Sequence, residues 1–518
     1  MKELSTNGLA DLAPAFSPAK TALIALPAAF VCGAIAAHAP AMAILLPIGL
    51  ILFIYGVRYP IRFFAGYLFY CSVELFLTNK LLGNSAMMAR LSSEALLLGV
   101  SAAVLLNIFI QRGRLHRTPA DIPFFAFVFV CLFSAFMNGI GVTPVALGMR
   151  IYLRYAIPFY ALIQLQPSRD ELRPILYAIL WAFGIQVGVG LLEALAPAIL
   201  KPVFLARSES AMLGLTIAKG QTFTRTDLHT AIFGTLENYN NYGAFLALTI
   251  PVIFLICKFK VVRSGRILLP ALLVFAVIAL VLTGSRSSMI AFSMGSMIIF
   301  WKMKRRWAVA VLLIGVLMLG AMALSTINAN RGLALQEHEI YSDSLMDRWF
   351  LVLQPGQLDS SPYRNFRLYL WQHIGKYILL RSPFFGLGIG TFGSLYSTQM
   401  FSGLYEDLNI HARHVQHFIG DSNWITIYAQ TGLLGLLSYF GIFIRFGRRK
   451  KPGSDQRAHP MHKMFQLLMP VFLTTFLIVA IFGPYFEART TSLLLWIVAA
   501  MNIAVFHGKL VDEMEPSS

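Results

Sequence analysis

Two arginines carry the first hint of chemistry in this chain. Arg225 lies in Thr222-Phe223-Thr224-Arg225-Thr226-Asp227, and Arg286 in Leu282-Thr283-Gly284-Ser285-Arg286-Ser287-Ser288, each beside an apolar run. A guanidinium offers a planar fork of donors matched to phosphate oxygens. The hydroxyls and glycine around Arg286, Ser285 among them, leave further donors for an anion. The plainer reading is an arginine at a helix end that snorkels to the interface. Two guanidiniums converging on one diphosphate would each attract it by about 4 kcal/mol at an effective dielectric near 20. That is enough to hold a charged leaving group as its bond breaks.

A second group is His411, His414, His417 and Asp421, which on a helix fall within about a third of the circumference. Three imidazoles suit a metal, and one of them, or the carboxylate, suits proton transfer. A solvated helix face is the duller account. Proton transfer is the expectation here, with no metal and no cofactor. Arg364 and Arg367 open a helix-like stretch over 364–381 and either face solvent or touch ligand. Pro383 must stop that helix, because proline disfavours helix at the residue before it. Asn240 and Asn241, in Glu237-Asn238-Tyr239-Asn240-Asn241-Tyr242-Gly243, either cap the following helix or bind sugar. Trp424 and Trp371 could stack on a sugar ring or anchor at an interface. Gly386-Leu387-Gly388-Ile389-Gly390-Thr391-Phe392-Gly393 has the spacing of a dinucleotide fingerprint, but a helix precedes it where a strand is required. It reads as a tight loop packed on the membrane domain.

The elements that must position these groups are hydrophobic helices. Of 518 residues, 57% are hydrophobic and 13% charged, against roughly a quarter charged in soluble domains. Apolar windows centre near residues 30, 49, 69, 102, 131, 158, 184, 249, 274, 294, 316, 434, 472 and 494. The expected fold is an all-α polytopic membrane protein, about 12–14 transmembrane helices with one large, partly helical periplasmic loop. The net charge of +18 concentrates in alternate connectors, such as Arg112/Arg114/Arg117, Lys302/Lys304/Arg305/Arg306 and Arg445/Arg448/Arg449. The positive-inside rule makes those connectors and both termini cytoplasmic, so the charge is a topology signal and nucleic acid is not an expected partner. The resulting divisions are a cytoplasmic tail (1–19), transmembrane helices with an outer connector at 197–240 (20–325), the large outer loop (326–422), further transmembrane helices (423–506) and a second tail (507–518). Cys32, Cys71, Cys131 and Cys257 lie in or beside apolar runs, which supports neither a disulfide framework nor a cysteine metal site.

These residues together resemble the O-antigen ligase and Wzy-type polysaccharide polymerase superfamily of bacterial inner-membrane proteins. Four pieces carry the resemblance over roughly residues 180–505. They are Arg225 followed by Gly234 to Gly243, and the turn Gly284-Ser285-Arg286-Ser287-Ser288-Met289. Next comes the long loop with Arg367-Leu368-Tyr369-Leu370-Trp371, Pro383 and Gly386-Leu387-Gly388. The last is the return into the membrane, Asp421-Ser422-Asn423-Trp424 to Gly435.

The resemblance implies glycosyl transfer without a nucleotide sugar. A glycan on undecaprenyl diphosphate would be attacked at its anomeric carbon by an acceptor hydroxyl at the periplasmic face, and the lipid diphosphate would leave. Arg225 and Arg286 would grip that diphosphate. Asp421, or His414 or His417, would polarise the hydroxyl, while Asn423, Trp424 and Arg367 help orient sugars. Ligases of the family carry His-Asn or His-Ser where this chain has Asp421-Ser422, whereas some polymerases carry Asp-Asn. That departure favours polymerising exopolysaccharide or O-antigen repeat units over attaching finished glycan to lipid A-core, and leaves the identity of the base open. A lipid-linked sugar flippase is the non-enzymatic rival, and a chain-length regulator a possible partner.

Overall fold

In the computed structural model, residues 40–81, 86–204, 231–236, 238–262, 267–305, 370–408, 422–447 and 459–507 are described. Arg225, Arg364, Arg367, His411, His414, His417 and Asp421 lie outside them, as do both tails and much of the 326–422 loop. The described residues form helices and turns with no strand among them, an all-α polytopic architecture. Seven helices are long and apolar enough to cross a membrane, and five shorter apolar ones accompany them.

In chain order the helices are α1 (Pro40–Arg58), α2 (Pro60–Leu81), α3 (Ala86–Arg112), α4 (Asp121–Met137), α5 (Val142–Leu153), α6 (Ala156–Leu165), α7 (Arg173–Leu195) and α8 (Pro197–Phe204). Then come α9 (Tyr239–Phe259), α10 (Leu268–Leu282) and α11 (Arg286–Lys302). Short helices α12 (Gly375–Arg381), α13 (Leu395–Met400) and α14 (Ser402–Asp407) belong to the loop, and α15 (Asn423–Phe446), α16 (Pro460–Phe482) and α17 (Arg489–His507) end the bundle.

The apolar window near residue 158 resolves into two helices, α5 and α6, with a break at Arg154 and Tyr155. Pro158 has no N–H to offer the Arg154 carbonyl and its ring crowds that turn. Helix α12 ends at Arg381, as Pro383 requires, after a π-turn over Leu370–Ile374.

Charge sorts the two ends of the bundle. Arg58, Arg112, Lys258, Lys302 and Arg445 occupy the last turns of α1, α3, α9, α11 and α15. Cross-contacts tie that end together, with Arg112 donating to the Gln164 carbonyl (3.0 Å) and Asn502 to that of Phe446 (2.8 Å). The opposite end carries the first turns of α9, α11, α15 and α17.

Part-way along its length α15 is interrupted. Gly432 adopts φ 63°, ψ −164°, a region essentially closed to residues with a side chain. The backbone groups released by the break need partners, since an apolar bundle offers no water. The glycine-rich loop supplies them. Leu433 N donates to Pro383 O (2.8 Å) and Leu434 N to Phe384 O (3.1 Å), while Leu387 N donates to Ala429 O (2.9 Å) and Gly388 N to Gln430 O (3.0 Å). Gly386, Gly388, Gly390 and Gly393 all have positive φ. A Cβ on Gly390 would stand 2.1 Å from the Pro144 carbonyl oxygen. The Gly-x-Gly repeat is therefore a packing device, closing onto α4, α5 and α15.

Candidate active site at one end of the bundle

The site is built from the entry to α9 and the turn into α11. Ahead of α9, residues 231–236 make a turn with Gly234 at φ 61°. Its amides are satisfied from α7: Glu193 Oε2 accepts from Phe233 N (2.9 Å) and Gly234 N (3.0 Å), and Gln186 Oε1 accepts from Thr235 N (3.1 Å). Gln186 Nε2 donates to the Ser72 carbonyl and to Thr235 Oγ1, both at 2.6 Å. A carboxylate and an amide buried in an apolar helix earn their place by saturating a non-helical turn.

That turn delivers three asparagines, which the structure separates. Asn238 caps α9, its side chain accepting from Asn241 N (2.8 Å). Asn240 Oδ1 accepts from Ser285 Oγ (3.0 Å). Asn241 lines a cavity on another side, with Glu74, Arg90 and Arg489.

The turn into α11 is Thr283-Gly284-Ser285. Gly284 takes φ 66°, and Thr283 Oγ1 accepts from Ser285 N (3.1 Å). Ser285 is buried, and its hydroxyl lies between Asn240 and Ser288 Oγ (2.8 Å) instead of capping the helix. Arg286, partly buried, is thus the first residue of a helix whose leading N–H groups the preceding serine leaves alone. Helix N-termini carry partial positive charge that favours anions. Gly243 of α9 packs directly beneath, since a Cβ there would meet Ser285 Cβ and Ser288 Oγ at 2.8 Å. Asn240, Ser285 and the helix start that Arg286 opens are therefore joined at one place.

Asn423 and Trp424 are placed differently. Asn423 is buried and accepts from Phe486 N (3.2 Å). Trp424 donates its indole N–H to the Leu477 carbonyl (3.2 Å) and stands edge-on to Phe440, Phe443 and Phe486. Both lock the start of α15 to the α16–α17 connection. Trp371 in the loop is exposed.

A network of buried ionisable residues escaped the motif-by-motif reading. Glu94 of α3 receives a two-pronged bond from Arg150 of α5, Nε to Oε1 at 2.8 Å and Nη2 to Oε2 at 2.7 Å. Arg154 lies 3.5 Å from Glu94. Arg489, opening α17, pairs with Glu74 of α2 at 2.7 Å and reaches Tyr67 OH (3.0 Å) and Ser93 Oγ (3.1 Å). Glu487, in the turn before α17, has its carboxyl pushed well above the usual carboxylate range by burial, against the pull of Arg154 and Arg150. The available signal was that Glu74, Glu94, Arg150, Arg154 and Arg489 interrupt apolar runs, and ionisable groups there are usually functional.

Residues 271–440 match the family described as O-antigen ligase. The matched stretch holds most of α10, the Ser285-Arg286 turn, α11, the loop and most of α15. No curated protein matches the chain.

Proposed function

We propose, for a chain that belongs to the O-antigen ligase and Wzy-type superfamily, that it transfers a glycan from polyprenyl diphosphate to an acceptor hydroxyl at the membrane's outer face. Membership itself implies a multi-pass membrane protein that handles lipid-linked glycan and an acceptor. The observation that carries the finer reading is the unit of Arg286, Ser285 and Asn240 at the bundle end remote from the basic helix ends. If the basic end is cytoplasmic, this unit faces outward, where the lipid-linked donor presents its diphosphate.

In this reading Arg286, aided by Arg225, neutralises the diphosphate as the bond from the anomeric carbon to the phosphate oxygen breaks. The acceptor oxygen forms the new bond from the opposite side and inverts the centre. Its proton passes to Asp421 or to a histidine of the 411–417 group. Ser285 and Asn240 orient Arg286, and Arg364 and Arg367 contact sugar or phosphate. Such preorganised charge is commonly the largest single contribution to catalysis.

Polymerisation of repeat units is favoured by Asp421-Ser422 at the return into the membrane. Ligation to a lipid A-core acceptor is the second reading, supported by the description of the matched family. Deletion of the gene followed by analysis of lipid-linked glycans separates them. Single repeats outside indicate a polymerase, long unattached polymer a ligase, and single repeats held inside a flippase. Within the same assay Arg286→Ala should abolish product while the protein remains inserted and abundant. Full product from that variant would remove Arg286 from the mechanism.

A further inference from the structure

Helix α15 begins on a serine whose hydroxyl makes no bond. Ser422 is fully buried and extended at the N-cap, φ −151° and ψ 111°, and its side chain does not cap the helix. Its Oγ is buried without a hydrogen-bond partner. Thr426 returns its amide (3.2 Å) and its hydroxyl (2.9 Å) to Ser422, but both go to the carbonyl. Ser394, at the start of α13, shows the same side chain used as a cap, its Oγ accepting from Ser397 N at 3.1 Å. Buried polar groups are hydrogen-bonded in the large majority of cases, so a buried hydroxyl left over calls for a partner from outside the fold.

The same turn offers amides. The N–H groups of Asn423, Trp424 and Ile425 have no acceptor within the helix, and the aligned peptide dipoles give that end partial positive charge. Three side chains fix the turn in three directions. Asn423 Oδ1 accepts from Phe486 N of the α16–α17 connection (3.2 Å), and the Trp424 indole donates to the Leu477 carbonyl of α16 (3.2 Å). Ile425 is buried in an apolar cluster with Ile374, Ile378 and Phe392 from the loop. Donors held in this way need no rearrangement to meet a charge. A helix start with a spare hydroxyl beside its amides suits an anionic oxygen.

We propose that Ser422 Oγ and the leading amides of α15 form a seat for an anionic oxygen of the lipid-linked glycan, either a phosphate oxygen of its diphosphate or the carboxylate of an acidic sugar. The proposal rests on the transfer reading for its ligand. It gives Ser422 a binding task apart from the proton transfer assigned to Asp421 or the histidines. It also separates binding from stability. A hydroxyl without a partner in the fold adds nothing to the fold, whereas to a charged ligand it donates a full hydrogen bond.

Asn423-Trp424 is the one Asn-Trp pair in the chain. Labelling Asn at the carbonyl carbon and Trp at the amide nitrogen therefore isolates the Trp424 amide resonance in the intact protein, held in phosphatidylcholine nanodiscs. Inorganic pyrophosphate or glucuronate should move that resonance saturably, and the one that acts at lower concentration names the source. Response to neither overturns the seat. Ser422→Ala should raise the half-saturating concentration about tenfold with the thermal midpoint unchanged or higher, and Ser422→Thr, which keeps the hydroxyl, should bind as wild type does. An alanine variant that binds as tightly as wild type, or that melts below it as loss of a structural cap would require, overturns the proposal. If the Asp421 carboxylate itself filled the seat, wild type would ignore both probes and Asp421→Asn would respond, which also overturns it. Gene deletion tests the transfer separately. Glycan products altered by deletion with Trp424 unmoved sink the seat alone, and a Trp424 response with glycan products unaltered sinks the transfer reading alone.

Discussion

Replacing Gly432 by alanine tests the join between the loop and the bundle. At φ 63°, ψ −164° a side chain costs of order 1–3 kcal/mol in backbone strain alone. A Cβ would also fall 2.4 Å from the Phe384 carbonyl carbon and 2.5 Å from Phe385 N. Those atoms are main chain and cannot swing aside, so the loop must lift. Lifting endangers the four bonds Leu433–Pro383, Leu434–Phe384, Leu387–Ala429 and Gly388–Gln430, each worth about 1 kcal/mol net. Losing two of them brings the local cost to about 3–5 kcal/mol. At about 1.4 kcal/mol per tenfold, amide exchange at Leu387, Gly388, Leu433 and Leu434 should accelerate by roughly 10²–10³-fold. Gly66→Ala is the control, since a Cβ there meets nothing within 4 Å. Exchange within threefold of wild type at those four amides in Gly432→Ala would refute the idea that the loop closes the helix break.

Gly243→Ala should push Ser285 and Ser288 away from α9 and lower transfer at least tenfold at near-normal protein abundance, read by glycan analysis alongside immunoblotting. Glu94→Gln strips the charge that Arg150 and Arg154 share. Breaking a buried pair in this way costs about 3–5 kcal/mol, so thermal unfolding in detergent should occur well below wild type, and an unchanged midpoint would dismiss the network as structural support. Glu487 offers a pH test. Its folded carboxyl holds a proton that the unfolded chain, with an ordinary value near 4.3, releases, so stability falls as pH rises above about 4.3. Glu487→Gln removes that loss, and its unfolding midpoint relative to wild type should climb between pH 5 and pH 8. A flat difference would assign Glu487 no linked proton.

What sequence could convey here follows from range. Proline at 383 ends a helix by local sterics, and α12 stops at Arg381 accordingly. Basic clusters mark helix ends because hydration is local, and the structure gathers them at one end. The Gly-x-Gly stretch was readable as packing because its flanks contradicted a nucleotide fold, although its dock at Gly432 was not visible from spacing. The ion network was not legible as a network: Glu74 and Arg489 are 415 positions apart, and Glu94 and Arg150 are 56 apart. Each charge could be seen, but not its partner. Asn423 and Trp424 look like sugar contacts in the motif, yet their side chains meet Phe486 and Leu477 in the structure. Helix phase, decided by packing against α16 and α17, sets their direction. Among the described residues, shorter helices such as α5 and α6 stand beside seven spanning ones, a division that windowed hydropathy does not resolve. A proline and a paired arginine can divide one apolar window into two helices.

The proposed proton acceptors fall in sequence between two described segments, and those segments meet at one place. Gly393 abuts Thr426, where a Cβ would stand 2.4 Å from the threonine methyl. Thr426 bonds back to the Ser422 carbonyl at 2.9 Å, and Asn423 is held by Phe486 N. The chain between Gly393 and Ser422 therefore leaves and returns at one place, the first turn of α15. Tyr405 reinforces the exit by accepting from Gly393 N (3.1 Å) and stacking on Phe392. Closing such a loop costs entropy that grows only slowly with length, and these contacts offset it. Ser422, which follows Asp421 in sequence, is thus fixed at the start of α15. In the proposed transfer, a proton acceptor adjacent in sequence to so fixed a position would need little further ordering when the acceptor hydroxyl arrives.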